Sequence, residues 1–183
     1  MALVRLVRHG HAAAGFGAEA DPGLDEQGRA QAAAMAGGVG PLGPLPMVTS
    51  PLRRTRETAA ALEAVWGSPA RVDHRVAEIP TPTRDLTERS AWLSRAMAGT
   101  WADLGPDLEA WRDQLVGAVT ELSVDTVVVT HFVAINAVVG WSTGDDRVMA
   151  VALDNCSVTT LEVDSTGAML VRELGATATT EVR

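Results

Sequence analysis

The chain has 183 residues, with 15 basic and 23 acidic side chains and a net charge of −8. That length bounds it at one compact domain, 1–183, and the acidic balance argues against nucleic-acid or anionic-membrane partners, which bind clustered positive charge. All the basic residues are arginine, which removes Schiff-base chemistry and a P-loop lysine, and a lone Cys156 removes a disulfide framework or a cysteine-built zinc site.

Ala2 to Arg8 is a short apolar run with β-branched residues and reads as a buried strand. Gly10, Gly15, Gly17 and the Asp21-Pro22-Gly23 turn make a loop. Asp25 then stands as an N-cap for an alanine-rich helix over Glu26–Ala36. Met47–Ser50 is a second strand. Ser50-Pro51 reads as an N-cap and first-turn proline for a helix reaching Trp66. Arg71–Val76 alternates like a strand, and the two prolines in Glu78–Thr83 make that stretch a loop. Helices are expected over Asp85–Met97 and Leu104–Leu122, with Trp92, Trp101 and Trp111 in or between them as packing residues. Asp125–Thr130 reads as a buried strand and Val133–Val139 as an apolar helix. Val148–Leu153, Val158–Val163 and Met169–Glu173 read as strands, the last two joined by the turn Asp164-Ser165-Thr166-Gly167. Strands alternating with helices predict a three-layer α/β/α sandwich with a central, mostly parallel sheet. No run of about 18 apolar residues exists. Charges at Arg5 and Arg8 interrupt the N-terminal apolar run, so a cytoplasmic protein without signal peptide or membrane span is expected.

Two of the buried strands end in histidine: Arg8-His9-Gly10-His11 after the first, and Thr130-His131 after the strand at 125–130. Ligands in open α/β sheets sit outside the carboxyl ends of the strands, so both imidazoles fall on the ligand edge. Three arginines, Arg53, Arg54 and Arg56, crowd a helix start, where the macrodipole disfavours cations. An anion between guanidinium and helix N–H groups resolves that conflict, while at least one of Arg53 and Arg56 reads as solvated and pointing outward.

In this order the motifs resemble those of the histidine phosphatase superfamily, also called phosphoglycerate mutase-like. Leu6-Val7-Arg8-His9-Gly10 is similar to its signature. Leu24-Asp25-Glu26-Gln27-Gly28-Arg29-Ala30-Gln31-Ala32 is similar to the segment that follows it. Ser50-Pro51-Leu52-Arg53-Arg54-Thr55-Arg56-Glu57-Thr58-Ala59 resembles the arginine motif, with Arg54 in register, and Val76-Ala77-Glu78-Ile79 the acid segment. Val128-Val129-Thr130-His131 and Asn155-Cys156-Ser157 resemble the last two motifs. The resemblance implies a metal- and cofactor-independent phosphomonoesterase. Its partner would be a small phosphorylated substrate or inorganic phosphate, with no nucleic acid and no membrane. It implies His9 as nucleophile through phosphohistidine, Arg8, Arg54 and His131 as phosphate ligands, and Glu78 as acid. Glu57 and Glu88 stand as alternative acids, and His11 as a wall of the substrate site or a support behind it. Ala12, Ala13 and Ala14 replace residues of the mutases, which favours a phosphatase, and 80–106 reads as the substrate-covering segment. A protein phosphohistidine phosphatase, a phosphate-binding module without catalysis, and zinc held by His9 and His11 are the competing readings; the last conflicts with Arg8 and Arg54, which repel cations.

Overall fold

Strand β1 (Ala2–Arg8) runs through the middle of the molecule and pairs in parallel with β4 (Thr126–Thr130), placing Arg8 opposite Thr130. The computed structural model describes residues 1–15 and 18–177; Gly17 of the loop after β1 lies outside them. β4 pairs in parallel with β2 (Met47–Thr49), and β2 with the two-residue β3 (Arg71–Val72). On the other side of β1, β5 (Val158–Val163) is antiparallel and turns back into β6 (Met169–Glu173). The sheet order is β3-β2-β4-β1-β5-β6. The turn after β5 closes as its residues dictate: Asp164 Oδ1 accepts from Thr166 N and Ala168 N, and Gly167 takes φ +85°.

Period-two alternation sorts the strand side chains into two cores. Val127 and Val129 face helices α1 (Glu26–Val39) and α2 (Arg53–Trp66), packing with Met35, Ala59 and Leu62. Val128, Val4 and Leu161 face the opposite layer, which holds α3 (Leu86–Met97), α4 (Trp101–Leu104), α5 (Pro106–Thr120) and α6 (Phe132–Thr143). This is the three-layer sandwich expected from the alternation of elements. The tryptophans of the second layer serve packing: Trp101 is fully buried and stacks on Trp111 with centroids 5.8 Å apart. Among the described residues no helix is long and apolar enough to cross a membrane.

Three boundaries differ from the sequence reading. Val148–Leu153 is not a strand. Buried Asn136 of α6 accepts from the N–H groups of both Ala150 and Val151 at 2.8 Å, which holds the segment against α6 rather than in the sheet. After β3, Asp73 accepts from Arg75 N at 3.0 Å and turns His74–Val76 into a short 3-10 helix, with His74 exposed. The helix expected over Leu104–Leu122 is α5, which starts only at Pro106 after Gly105 at φ +85°, and a short α4 over Trp101–Leu104 stands before it.

The loop leaving β1 lies directly on the first turn of α1. A Cβ on Gly10 would stand 2.6 Å from the Gly28 carbonyl oxygen, and one on Gly28 would collide with the His11 carbonyl oxygen. The opposing atoms are backbone and cannot swing aside. Gly28→Ala is therefore expected to destabilise the protein by about 2 kcal/mol or more, read as a lower urea midpoint at unchanged slope. An unchanged midpoint would show that the loop and helix separate at no cost.

Candidate active site

The carboxyl end of β1 is held from several directions. His9 N donates to Thr130 O at 3.0 Å, Cys156 N to Arg8 O at 3.0 Å, and Asn155 Nδ2 to His9 O at 2.9 Å. Gly10 N donates to Thr58 Oγ1 at 3.0 Å, and that hydroxyl donates to Arg54 O at 2.7 Å. One threonine thus ties the chain beyond His9 to the helix that carries Arg54. Cys156 sits at φ +56°, the one described non-glycine residue in that region, where the chain bends to reach the β1 end.

Hydrogen-bond logic fixes both imidazole tautomers. His9 Nδ1 lies 2.7 Å from the Gly10 carbonyl, which only accepts, so Nδ1 carries the proton and Nε2 keeps its lone pair. Arg54 Nε donates to that Nε2 at 3.2 Å. Arg54 Nη2 lies 3.1 Å from His131 Nδ1, and a guanidinium only donates, so His131 is protonated on Nε2. That proton goes to Ser50 Oγ at 2.7 Å. The two rings meet edge-on with centroids 5.3 Å apart. Arg8 lies 5.0 Å above the Phe132 ring and donates through Nη1 to Leu153 O, while its buried Nε has no protein partner.

Arg8, His9, Arg54 and Glu78 line one cavity of about 80 Å³, while His131 stands fully buried behind Arg54. Burial, reinforced by the Arg54 charge, holds both histidines well below the ordinary imidazole value of 6.5, so both are neutral. Burial also raises the Glu78 carboxyl above its ordinary 4.5, against the opposing pull of the Ile79 N–H, Arg54 and Arg8. His131 is consequently no cation as the site stands; an arriving phosphate dianion would have to draw a proton onto its Nδ1. Ser50 already accepts from the other nitrogen, so both N–H groups of an imidazolium would be satisfied.

The predicted helix start is corrected here. Ser50 is not the N-cap of α2; Leu52 holds that position without a side-chain bond, because the Ser50 hydroxyl is given to His131. The N–H of Arg53 is taken instead by Asp21 Oδ1 at 2.9 Å, from a loop far earlier in the chain. The same Asp21 oxygen lies 4.0 Å from Arg54 Nη1. No local signal marks Asp21 for this role, nor Thr58 and Asn155 for theirs, since their partners are remote in sequence. Arg53 points outward to Glu57 at 2.7 Å, and Arg56 is exposed, as solvated residues should be. His11 does not line the cavity. Its Nδ1 pairs with Asp25 Oδ2 at 2.7 Å, while Asp25 Oδ1 caps α1 through Gly28 N. His11 thus braces the loop behind the site. Glu57 and Glu88, the alternative acids, are bound elsewhere, to Leu24 N and Thr83 Oγ1.

The profile of the histidine phosphatase superfamily (branch 1) matches residues 4–174. The chain belongs to this superfamily. Among solved structures, the mycobacterial glucosyl-3-phosphoglycerate phosphatase, seen with VO3, is similar over 97% of this chain and 100% of its own, with 25% identity and a TM-score of 0.73. A phosphoserine phosphatase mutant of Entamoeba histolytica, seen with phosphoserine, matches over 96% and 98% with 18% identity and a TM-score of 0.76. The YhfR protein of Bacillus stearothermophilus matches over 94% and 96% with 20% identity and a TM-score of 0.76. Among curated proteins no match was found. The histidine phosphatase fold and its phosphatase neighbours agree with a cavity that gathers two guanidinium groups and a histidine whose Nε2 is unprotonated.

Proposed function

We propose that this histidine phosphatase hydrolyses phosphomonoesters without a metal, through a phosphohistidine on His9. The observation that carries the reading is geometric: His9 Nε2, left unprotonated by the Nδ1 bond to the Gly10 carbonyl, shares one cavity with the guanidinium groups of Arg8 and Arg54 and the carboxyl of Glu78. Ordinarily a carboxyl loses its proton before an imidazolium does. Here burial drives both groups toward their neutral forms, which favours an unprotonated His9 Nε2 as nucleophile beside a Glu78 carboxyl that can hold a proton. His9 Nε2 attacks phosphorus as the bond to the leaving oxygen breaks. Arg8 and Arg54 take the charge spread over the phosphoryl oxygens, and Glu78 protonates the departing alkoxide. Water then attacks the phosphohistidine, gives its proton to Glu78, and inorganic phosphate leaves with His9 restored. Positive side chains around His9 favour an anion over a metal ion, and His11 is turned to Asp25. His9 is 8% exposed, with Leu93 and Met97 of α3 walling the cavity, which supports small substrates over a folded phosphoprotein and gives part of the 80–106 segment its covering role.

The test is hydrolysis of p-nitrophenyl phosphate across about pH 5 to 8, with and without EDTA, together with acid- and base-stability of any trapped phosphoryl label. Activity indifferent to EDTA and a base-stable, acid-labile label are expected; loss with EDTA would overturn the metal-free reading. Glu78→Gln separates the acid from the rest of the site. It should cost about 10²–10⁴ in kcat/KM for alkyl phosphates, whose leaving groups need the proton, and far less in kcat/KM for p-nitrophenyl phosphate, since kcat/KM reports the first step and not the later attack of water. Equal losses on both substrates would remove Glu78 from the acid role.

A further inference from the structure

Beyond the phosphate cradle the cavity has a second half, and its chemistry is one-sided. The loop after β1 contributes Ala12, Ala14 and Pro22, α3 contributes Leu93 and Met97, and α6 begins there with Phe132. Pro22, Leu93 and Phe132 are buried. Apart from Arg8, Arg54 and Glu78, the charged side chain among the described residues that lines the cavity is Glu19, and it is exposed. Arg8 and Arg54 face the phosphoryl position, and Arg53 is held by Glu57. Arg89 of α3 is near enough to act on Arg54 electrostatically but does not line the cavity.

A leaving group bearing a carboxylate would shed hydration among these apolar side chains, close to Glu19, with no further cation lining the cavity among the described residues. An apolar leaving group loses nothing there and keeps water from Glu78, which sustains the burial that holds its proton. We infer that the substrate is a phosphomonoester whose leaving group is an uncharged, apolar aryl or alkyl alcohol. This rests on the phosphatase reading above and narrows it, and it sets the chain apart from the neighbour seen with phosphoserine, a carboxylate-bearing ester.

Phenyl phosphate and 4-carboxyphenyl phosphate make the comparison, because the distant carboxylate changes leaving-group ability little. The expected kcat/KM ratio is at least about tenfold in favour of phenyl phosphate. Ala14→Arg, at a half-buried loop position, supplies a cation and should cut that ratio several-fold; Glu19→Gln should cut it less. A ratio near one, or in favour of the carboxylate, overturns the inference. If both esters then still label His9 with acid-labile phosphate, the phosphatase reading survives that failure. Absence of turnover and of label with both esters overturns the phosphatase reading and the inference with it.

Discussion

His9→Ala is expected to lower kcat by at least about 10⁴ and to abolish the acid-labile label, while inorganic phosphate still binds. The reasoning follows from what the substitution leaves behind. Arg8 and Arg54 remain, so the anion keeps its cationic partners, and Glu78 still lines the cavity beside them. What disappears is the Nε2 lone pair, fixed toward the cavity by the Nδ1 bond to Gly10 O. A water in its place has no equivalent constraint on direction and no equivalent nucleophilicity. Loss of the His9 ring also removes one influence that lowers the His131 pKa, so His131 should take up its proton more readily when phosphate arrives. Turnover within tenfold of the unmodified protein would remove His9 from the nucleophile role. Retained phosphate binding guards the result against a misfolded variant, since the binding groups come from β1, α2 and the chain between β3 and α3 and assemble only in the folded protein.

Much of this architecture is written locally. The apolar runs of β1 and β4 declare buried strands, and their terminal histidines fall on one sheet edge because the two strands are parallel neighbours in register. Arg54 was separable from Arg53 and Arg56 by its register in the arginine motif, and helical geometry turns Arg53 away toward Glu57, four residues on. What sequence could not carry is the identity of remote partners. Ser50 before Pro51 looks like a helix cap by every local rule, yet its hydroxyl is drawn to His131, 81 residues away. The cap falls to Asp21, whose loop has no helical signal of its own. Val148–Leu153 has strand composition, but two of its N–H groups find Asn136 before they find a strand. His11, poised by spacing to face a ligand, is claimed by Asp25. In each case a polar side chain overrules a local propensity, and for the buried Ser50, His131 and Asn136 the reason is that an unpaired buried polar group costs more than a propensity gains.

Those remote contacts also reconcile the charge balance with the chemistry. A net charge of −8 disfavours extended phosphate backbones, yet the cavity concentrates Arg8 and Arg54 within a protein whose exterior repels anions. Local geometry rather than bulk attraction then decides which phosphate enters. Both guanidinium groups are buried, which lowers their pKa from the usual value without approaching neutrality at physiological pH.

Arg54 therefore has two functions that its variants should separate. As a donor it reaches His9 Nε2 and His131 Nδ1 with different nitrogens of one planar group, a fork that a lysine cannot reproduce. Arg54→Lys and Arg54→Ala should each lose about 10²–10³ in kcat/KM, because one ammonium replaces none of that geometry. As a charge, Arg54 lowers the pKa of His9, of His131 and of Glu78. In a bell-shaped profile the acid limb is set by protonation of His9 and the alkaline limb by deprotonation of Glu78. Removing the charge lifts both values, so the whole bell of Arg54→Ala should move to higher pH, and its deficit should deepen as the medium is acidified. Arg54→Lys keeps the charge and should keep the bell where it stands in the unmodified protein, at reduced height. Superimposable profiles for the alanine variant and the unmodified protein would show that burial alone sets the nucleophile's protonation. The alternative outcome, a shift in both variants alike, would mean that the guanidinium acts on His9 through the hydrogen bond to Nε2 and not through its charge.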